Sequence, residues 1–298
     1  MLERLGTVLA VSSAIVGYVG WQLDFTIEHS PTLGDPNEPV RLTQQAPALP
    51  ASNAAANARL ASSPRQGEWA MIRVGEDSVR AWVVYPAKRE GAGVVVAIHD
   101  NQGMSNWIRA VADQLAADGF IGIAPDLLSM KDVARRPDGE SDPAAVRAVI
   151  GQVDQATRDR FIRAVGEWGT KLPGATPKYG IVGFCWGGST VFAHAVASAP
   201  ALGAVAVYYG TAPATESLSV VRAPIIGFYG GADQRVNATI PAAESALKEL
   251  GRTYEPHIFD GAGHGFLRNQ EGQDGANMEA AKQAWPLTVR WFRTHLAG

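Results

Sequence analysis

The sequence contains one cysteine in 298 residues, which excludes an internal disulfide and any zinc site built from several cysteines. It also lacks an excess of either charge. The 26 basic and 29 acidic side chains leave a net charge of −3, so composition indicates no nucleic-acid partner. The six histidines include no pair at metal-ligand spacing, and we predict neither a metal nor another cofactor. What remains is a globular chain, 46% hydrophobic, that is long enough to bury a full-sized core.

A continuous apolar run, LGTVLAVSSAIVGYVGW, covers residues 5–21 and follows Arg4. Its length lies between the core of a signal peptide and a minimal membrane span, and no small-x-small cleavage site follows it. We interpret residues 1–25 as a hydrophobic signal or anchor segment that is cleaved poorly or not at all. The charges around it predict an exported protein, either periplasmic or anchored to the outer side of the cytoplasmic membrane. A core helix of the domain is the alternative.

Residues 26–67 are rich in proline, alanine, serine and asparagine and show almost no periodic pattern of large apolar side chains. Such a segment buries too little surface to offset the entropy that it loses on ordering. The composition therefore predicts a disordered tether at residues 26–67, followed by a folded domain at residues 68–298.

Within residues 68–298, apolar runs alternate with helical patterns. The first two runs mix apolar and polar side chains and predict an antiparallel pair, whereas GVVVAIH (93–99) and later runs resemble strands covered on both faces. This order predicts an α/β fold with a mainly parallel central sheet flanked by helices. Residues 127–176 are more polar and predict a loop with one or two helices. We expect these to form a lid over the carboxyl ends of the strands, where the active sites of such sheets lie.

The single cysteine, Cys185, lies in GFCWGG (183–188), between a strand pattern and a helical pattern. The motif matches G-x-nucleophile-x-G, in which a strained turn lifts the nucleophile clear of the sheet and glycines let strand and helix approach. The alternative is a small buried side chain, which is the common role of a free cysteine. The glycines on both sides favour a nucleophile.

A nucleophile of this kind needs a base, and the base needs an acid that orients it. Asp233 follows an apolar run in FYGGADQRV, and His264 lies in GAGHGF after the last predicted strand. Taken alone, Asp233 fits a turn or helix cap, and His264 fits a structural role. Together with Cys185 they have the type, order and position of an α/β-hydrolase triad, and we predict that triad.

Five ordered motifs, AIHDNQG, APDLL, GFCWGG, GGADQRV and GAGHGFLR, resemble those of the dienelactone hydrolase family, the carboxymethylenebutenolidases. The resemblance extends from about residue 68 to the C-terminus and implies an α/β-hydrolase fold. It also implies hydrolysis of a lactone or small carboxylic ester by the Cys-His-Asp triad, through a thioester acyl-enzyme. By the same resemblance, the backbone N–H groups of Asn101 and Trp186 form the oxyanion hole.

The resemblance assigns roles to two further side chains. Arg268, in HGFLR, matches an arginine that in the family holds a substrate carboxylate. Asp100 stands where the family usually has a glutamate, an acid that helps to poise the thiol before substrate binds. Aspartate is one methylene shorter than glutamate, so whether its carboxylate reaches Cys185 stays an open question. The family has a second substrate-binding arginine in the lid, and several arginines of this chain are alternatives for it, among them Arg135, Arg136 and Arg147.

These expectations make a small-molecule ester or lactone the predicted partner. Two alternatives stay open. One is a general esterase that acts on other small esters. The other is a non-catalytic exported binding protein that keeps the fold, for which Asp100 in place of glutamate is the main support. The sequence indicates no oligomeric state.

Overall fold

The computed structural model describes residues 48–137 and 139–298. The signal or anchor segment predicted for residues 1–25 lies outside these ranges. In the part of the chain that is described, no helix is both long enough and apolar enough to cross a membrane. The export segment and the location outside the cytoplasm therefore stay predictions.

A single eight-stranded sheet organises the described residues, with the strand order β1-β2-β4-β3-β5-β6-β7-β8. β1 pairs with β2, and β2 with β4, in antiparallel fashion, and all the other neighbours are parallel. The strands are β1 Gly67–Val74, β2 Asp77–Val84, β3 Ala92–Ile98, β4 Ile121–Pro125, β5 Ala175–Phe184, β6 Leu202–Tyr208, β7 Ile225–Gly230 and β8 Tyr254–Phe259.

Helices cover both faces of this sheet. Those of the described chain are α1 Ala56–Ser62, α2 Asn106–Ala117, α3 Pro143–Val149, α4 Gln155–Gly169, α5 Trp186–Val196, α6 Gln234–Asn237, α7 Ile240–Glu249 and α8 Ala276–Leu296. Buried side chains of α2 and α8 form one apolar core with the sheet, and those of α4, α5 and α7 form the other. The predicted α/β-hydrolase fold, a mainly parallel sheet between helices, is confirmed.

The strands that carry this fold are buried because both of their faces are covered. Every residue of β3 and β4 is buried, which explains why their sequences are apolar without alternation. Ser105 caps the N-terminus of α2, and its hydroxyl oxygen accepts a hydrogen bond from the N–H of Ile108. The helix stops before Gly119, whose φ of 97° only glycine adopts without strain.

The lid prediction holds for only part of residues 127–176. α3 and the loops around it pack on a small apolar cluster of their own, formed by Leu128, Val146 and Val153. α4 instead lies flat on the sheet, and its apolar stripe, which includes Phe161 and Val165, belongs to the main core. α4 is therefore a crossover helix between two parallel strands and not part of a lid.

The prediction of a disordered tether is wrong for residues 48–66, which we call the strap. The strap contains α1, packs against α2 and buries Pro50 and Ala56. Polar contacts hold the strap in place, and such contacts do not require a periodic pattern of apolar residues in the sequence. The remaining part of the predicted tether, residues 26–47, lies outside the described residues.

A buried carboxylate forms the main anchor of the strap. Asp113 on α2 accepts hydrogen bonds from Arg59 at 2.6 Å, from Ser63 at 2.5 Å and from Arg65 at 3.0 Å. Only 2% of its side chain is exposed. Its charge is therefore compensated almost entirely by the strap, because a buried carboxylate needs partners of opposite charge.

Candidate active site

β5 and α5 meet at Cys185, which has φ 55° and ψ −112°. A positive φ is uncommon for a residue with a Cβ, costs about 1–3 kcal/mol and occurs preferentially at functional sites. The glycines around it are sterically required. A Cβ on Gly183 would lie 2.1 Å from the carbonyl oxygen of Gly187, and one on Gly187 would lie 2.4 Å from that of His99. The turn predicted from the glycine pattern is therefore formed, with the sulfur at the carboxyl edge of the sheet.

The predicted base and acid lie at the same edge. His264 is in the loop after β8, and Asp233 lies in the turn between β7 and α6. The imidazole Nδ1 lies 2.5 Å from Asp233 Oδ2. The other carboxylate oxygen, Oδ1, accepts a hydrogen bond of 3.4 Å from the N–H of Val236. Cys185 and His264 line the same cavity. The three residues predicted from distant parts of the sequence thus lie together at one edge of the sheet.

These contacts determine the charge of the imidazole. The hydrogen bond with Cys185 raises the pKa of His264 to about 9, partial burial opposes the rise, and the hydrogen bond with Asp233 adds to it. At neutral pH the imidazole therefore carries both protons. In this form the imidazole can donate a proton to a leaving group.

The two predicted oxyanion-hole residues flank the sulfur. Trp186 is the first residue of α5, where a helix leaves the N–H without an intrahelical partner. Asn101 lies in the turn after β3. That turn uses the N–H groups of Gln102 and Gly103 in bonds to Asp100, and it leaves the N–H of Asn101 without a partner among the described residues. Both N–H groups are thus available to an oxyanion, and their role stays a prediction.

Asp100 does not bond to the sulfur in any described contact. Its Oδ2 accepts a hydrogen bond from Arg268 Nη1, and its Oδ1 accepts one of 2.8 Å from the N–H of Gln102. The Asp100 carboxylate is thus paired with Arg268, the side chain that the family resemblance assigns to binding a substrate carboxylate. The role of Asp100 in poising the thiol and that of Arg268 in binding a carboxylate stay predictions.

A cavity of about 340 Å³ contains these groups. It is lined by Asn53, Asp100, Asn101, Gln102, Cys185, Tyr209, His264, Gly265, Arg268 and Asn269. A second, polar cavity of about 260 Å³ shares Asn53, Gln102 and Arg268 with it. Among the candidate lid arginines, only Arg136 lines this second cavity, whereas Arg135 pairs with Asp126 at 3.2 Å and Arg147 is exposed on α3.

Tyr209 is a site residue that the motif analysis did not single out. It follows β6 directly, has φ 41°, and is only 2% exposed. Its hydroxyl has no hydrogen-bond partner among the described residues, although the residue lines the cavity with Cys185. Burial, and after it the nearby Asp100, raise the pKa of Tyr209 well above its ordinary value, so the hydroxyl is a neutral donor. The sequence signal that could have identified Tyr209 is its position directly after a buried strand.

Residues 79–296 match the model of the dienelactone hydrolase family. A Salmonella typhimurium protein, whose name assigns it provisionally as a carboxymethylenebutenolidase, is 27% identical over 251 residues, which cover 80% of this chain and 87% of the relative. A similarly named protein of Synechocystis sp. is 28% identical over 219 residues, which cover 68% of this chain and 86% of the relative.

Solved structures are similar in fold. One from Klebsiella pneumoniae, provisionally named a dienelactone hydrolase, has a TM-score of 0.67 at 24% identity and covers 77% of this chain and 98% of its own. The dienelactone hydrolase of Anabaena variabilis has a TM-score of 0.58 at 23% identity and covers 78% of this chain and 99% of its own. At this identity the likeness shows the fold alone.

Proposed function

The chain belongs to the dienelactone hydrolase family and, from that premise, we propose that it hydrolyses a lactone or small ester with Cys185, His264 and Asp233 as its triad. The observation that carries the proposal is the position of His264, which bonds to Asp233 and lines one cavity with Cys185. The names of the curated relatives support an ester or lactone as the substrate class.

In the acylation step, the Cys185 sulfur attacks the carbonyl carbon, and the carbonyl oxygen becomes an oxyanion. The N–H groups of Asn101 and Trp186 donate to that oxygen, and each such donor contributes about 3 kcal/mol in comparable sites. His264 then gives a proton to the leaving alkoxide, which in a lactone is the ring oxygen. The product is a thioester on Cys185.

In the deacylation step, a water molecule attacks the thioester carbonyl while the neutral His264 accepts its proton. The carbon–sulfur bond breaks, the carboxylic acid leaves, and the thiolate and imidazolium form again. Asp233 keeps the imidazole in the orientation and tautomer that both steps need, because its carboxylate accepts a hydrogen bond from the Nδ1–H throughout.

The direct test is Cys185→Ala assayed with small 4-nitrophenyl esters and with an unsaturated lactone. We expect turnover to fall at least about a thousandfold. Mass spectrometry of the wild-type chain with a slow ester should show one acyl group on Cys185. Unchanged turnover by the folded variant would contradict the mechanism. Rapid alkylation of Cys185 by iodoacetamide, with hydrolysis of no ester or lactone in the panel, would instead indicate a binding protein that keeps the fold.

We also propose that residues 1–25 export the chain, since their apolar run has the length and charge flanks of a signal or anchor. Cell fractionation of the full chain and of a chain without these residues is the test. The full chain should fractionate with the periplasm or the membrane. A full chain found in the cytoplasm would contradict the proposal.

A further inference from the structure

The strap reaches the active site at one residue, Asn53. Its backbone N–H donates a hydrogen bond of 2.8 Å to the carbonyl oxygen of Arg268. Its side-chain Oδ1 accepts a second hydrogen bond of 2.8 Å from Arg268 Nη2. Asn53 therefore contacts both the main chain and the guanidinium group of the arginine that lines the cavity with Cys185.

Hydrogen bonds of the three residues before Asn53 hold this contact in place. The carbonyl oxygen of Pro50 accepts a hydrogen bond of 2.8 Å from Gln270 Nε2, and that of Ala51 accepts one of 3.1 Å from Trp107 Nε1. The hydroxyl of Ser52 donates to Glu271 Oε1 at 2.5 Å. Two of these partners, Gln270 and Glu271, lie in the loop that carries Arg268, so the strap and that loop are joined as one unit.

The two partners of the guanidinium group differ in charge. Asp100 is an anion and competes with an anionic substrate for the same cation. Asn53 is a neutral acceptor, so it orients the guanidinium plane without adding a second negative charge beside it. The ring of Trp107 lies under the guanidinium group, with 5.5 Å from Arg268 Cζ to the ring centroid. Of these contacts, the one from Asn53 is the neutral hydrogen bond.

Asn53 and Arg268 also line both the cavity of Cys185 and the neighbouring polar cavity. The second cavity adds polar groups from three segments: Asn57 of the strap, Ser105 at the start of α2 and Ser141 of the lid region. An ester whose acyl part lies at Cys185 can thus extend an anionic group along Arg268 toward a polar volume. The strap forms one wall of that route.

We propose that Asn53 is a positioning residue of the substrate site, through which the strap orients Arg268 and gives the enzyme a preference for esters that carry a free carboxylate. The proposal rests on the proposed function. It extends that function to a segment that lies before the residues matched by the family model, which begin at residue 79.

The test compares a neutral ester, 4-nitrophenyl acetate, with an anionic one, the 4-nitrophenyl monoester of adipic acid. We expect Asn53→Ala to raise KM for the anionic ester about tenfold, with kcat changed less than about twofold and the acetate unaffected. Asn53→Asp keeps the acceptor but places a second anion on Arg268, so it should raise KM for the anionic ester more than Asn53→Ala does. The matched control is Ser52→Ala, which removes a strap contact that does not touch Arg268.

Three outcomes contradict the proposal. The first is an unchanged KM for the anionic ester in Asn53→Ala. The second is an equal loss on both esters, which indicates a structural role for Asn53. The third is an equal effect in Ser52→Ala, which indicates strap docking in general. Thermal unfolding of each variant verifies folding. If the wild-type chain hydrolyses neither ester nor the lactone, the proposed function fails; if it hydrolyses them and Asn53→Ala has no selective effect, only the role of Asn53 fails.

Discussion

Asp100 and Arg268 are 168 positions apart in the chain, and their side chains form an ion pair in the cavity that contains Cys185. The acid that the family resemblance assigns to the thiol is thus held by the cation assigned to the substrate. If Arg268 binds a substrate carboxylate as the family resemblance implies, we expect that carboxylate to compete with Asp100 for this guanidinium group, whereas a neutral ester should not. The charge at position 100 therefore affects anionic substrates more than neutral ones.

Asp100→Asn tests which of its two roles dominates. If the carboxylate acts mainly on Arg268, the variant should lower KM for a carboxylate-bearing ester several-fold and leave kcat for 4-nitrophenyl acetate within about threefold, because His264 still supplies the cation beside the sulfur. Steady-state kinetics on both esters provide the measurement. A large loss of kcat on both would show instead that Asp100 poises the thiol.

The pH dependence should report the charge of His264. The hydrogen bonds with Cys185 and Asp233 raise its pKa to about 9, so the imidazole is protonated below that pH and loses the proton above it. Since the leaving alkoxide takes this proton, kcat/KM should fall as the pH rises through about 9. Asp233→Asn removes one cause of the raised pKa and should move this alkaline limb to lower pH.

Asp233→Asn should also lower kcat about a thousandfold or more, since the imidazole loses its orienting acceptor. The matched control is Asp260→Asn, an exposed carboxylate in the turn after β8, which should keep both the rate and the limb. An alkaline limb that does not move in Asp233→Asn would show that another group controls it.

The fold and the convergence of the three proposed triad residues were predictable because their signals are local. Most of the parallel strands contain an apolar run, and Cys185, Asp233 and His264 each follow a predicted strand or lie in a glycine-rich loop after it. Parallel strands place their carboxyl ends at one edge, so the position of each residue along its own segment predicts their convergence.

The contacts that sequence did not predict are long-range and polar. The pairing of Asp100 with Arg268 depends on how two loops meet, and neither loop indicates its partner. The strap docks through hydrogen bonds from Arg59 and Arg65 to Asp113. In the sequence these two arginines are only polar residues in a segment with few apolar ones. α4 was assigned to a lid because its neighbours are polar, although its own apolar stripe packs on the sheet.

Tyr208 and Tyr209 permit a paired test of the unpartnered hydroxyl. Tyr209→Phe removes a buried donor that has no partner among the described residues, so stability should stay the same or rise. We expect kcat/KM to fall about fivefold to tenfold, because the hydroxyl lines the cavity and can donate to a substrate oxygen.

Tyr208→Phe should have the opposite effect. The Tyr208 hydroxyl bonds to Thr288 Oγ1 at 2.7 Å inside the core, so its loss should lower the free energy of unfolding by about 1 kcal/mol and leave kcat/KM unchanged. Thermal unfolding and ester kinetics on both variants measure the difference. An unchanged kcat/KM in Tyr209→Phe would assign that hydroxyl no part in the reaction.

Asp113→Asn should release the strap. The substitution removes the charge that Arg59 and Arg65 share, at a cost of about 2 kcal/mol, which is below the value for fully buried pairs because 24% and 21% of these arginines stay exposed. Trypsin should then cleave after Arg59 and Arg65 faster than in the wild-type chain. Asp77→Asn, which affects an exposed pair with Arg160, is the control and should leave both cleavage rates unchanged.

Acid should release the strap for the same reason. Burial alone would raise the pKa of Asp113, but the hydrogen bonds from Arg65, Ser63 and Arg59 outweigh burial and lower it. A carboxyl whose pKa is lowered by folding contributes its full stabilisation above its unfolded pKa of about 4 and loses it as the pH falls through the lower, folded value. Pepsin cleavage within residues 48–66 should therefore accelerate at acid pH in the wild-type chain. In Asp113→Asn that cleavage should already be fast and should change less with pH. Equal pH dependence of cleavage in the variant and the wild-type chain would show that Asp113 does not hold the strap.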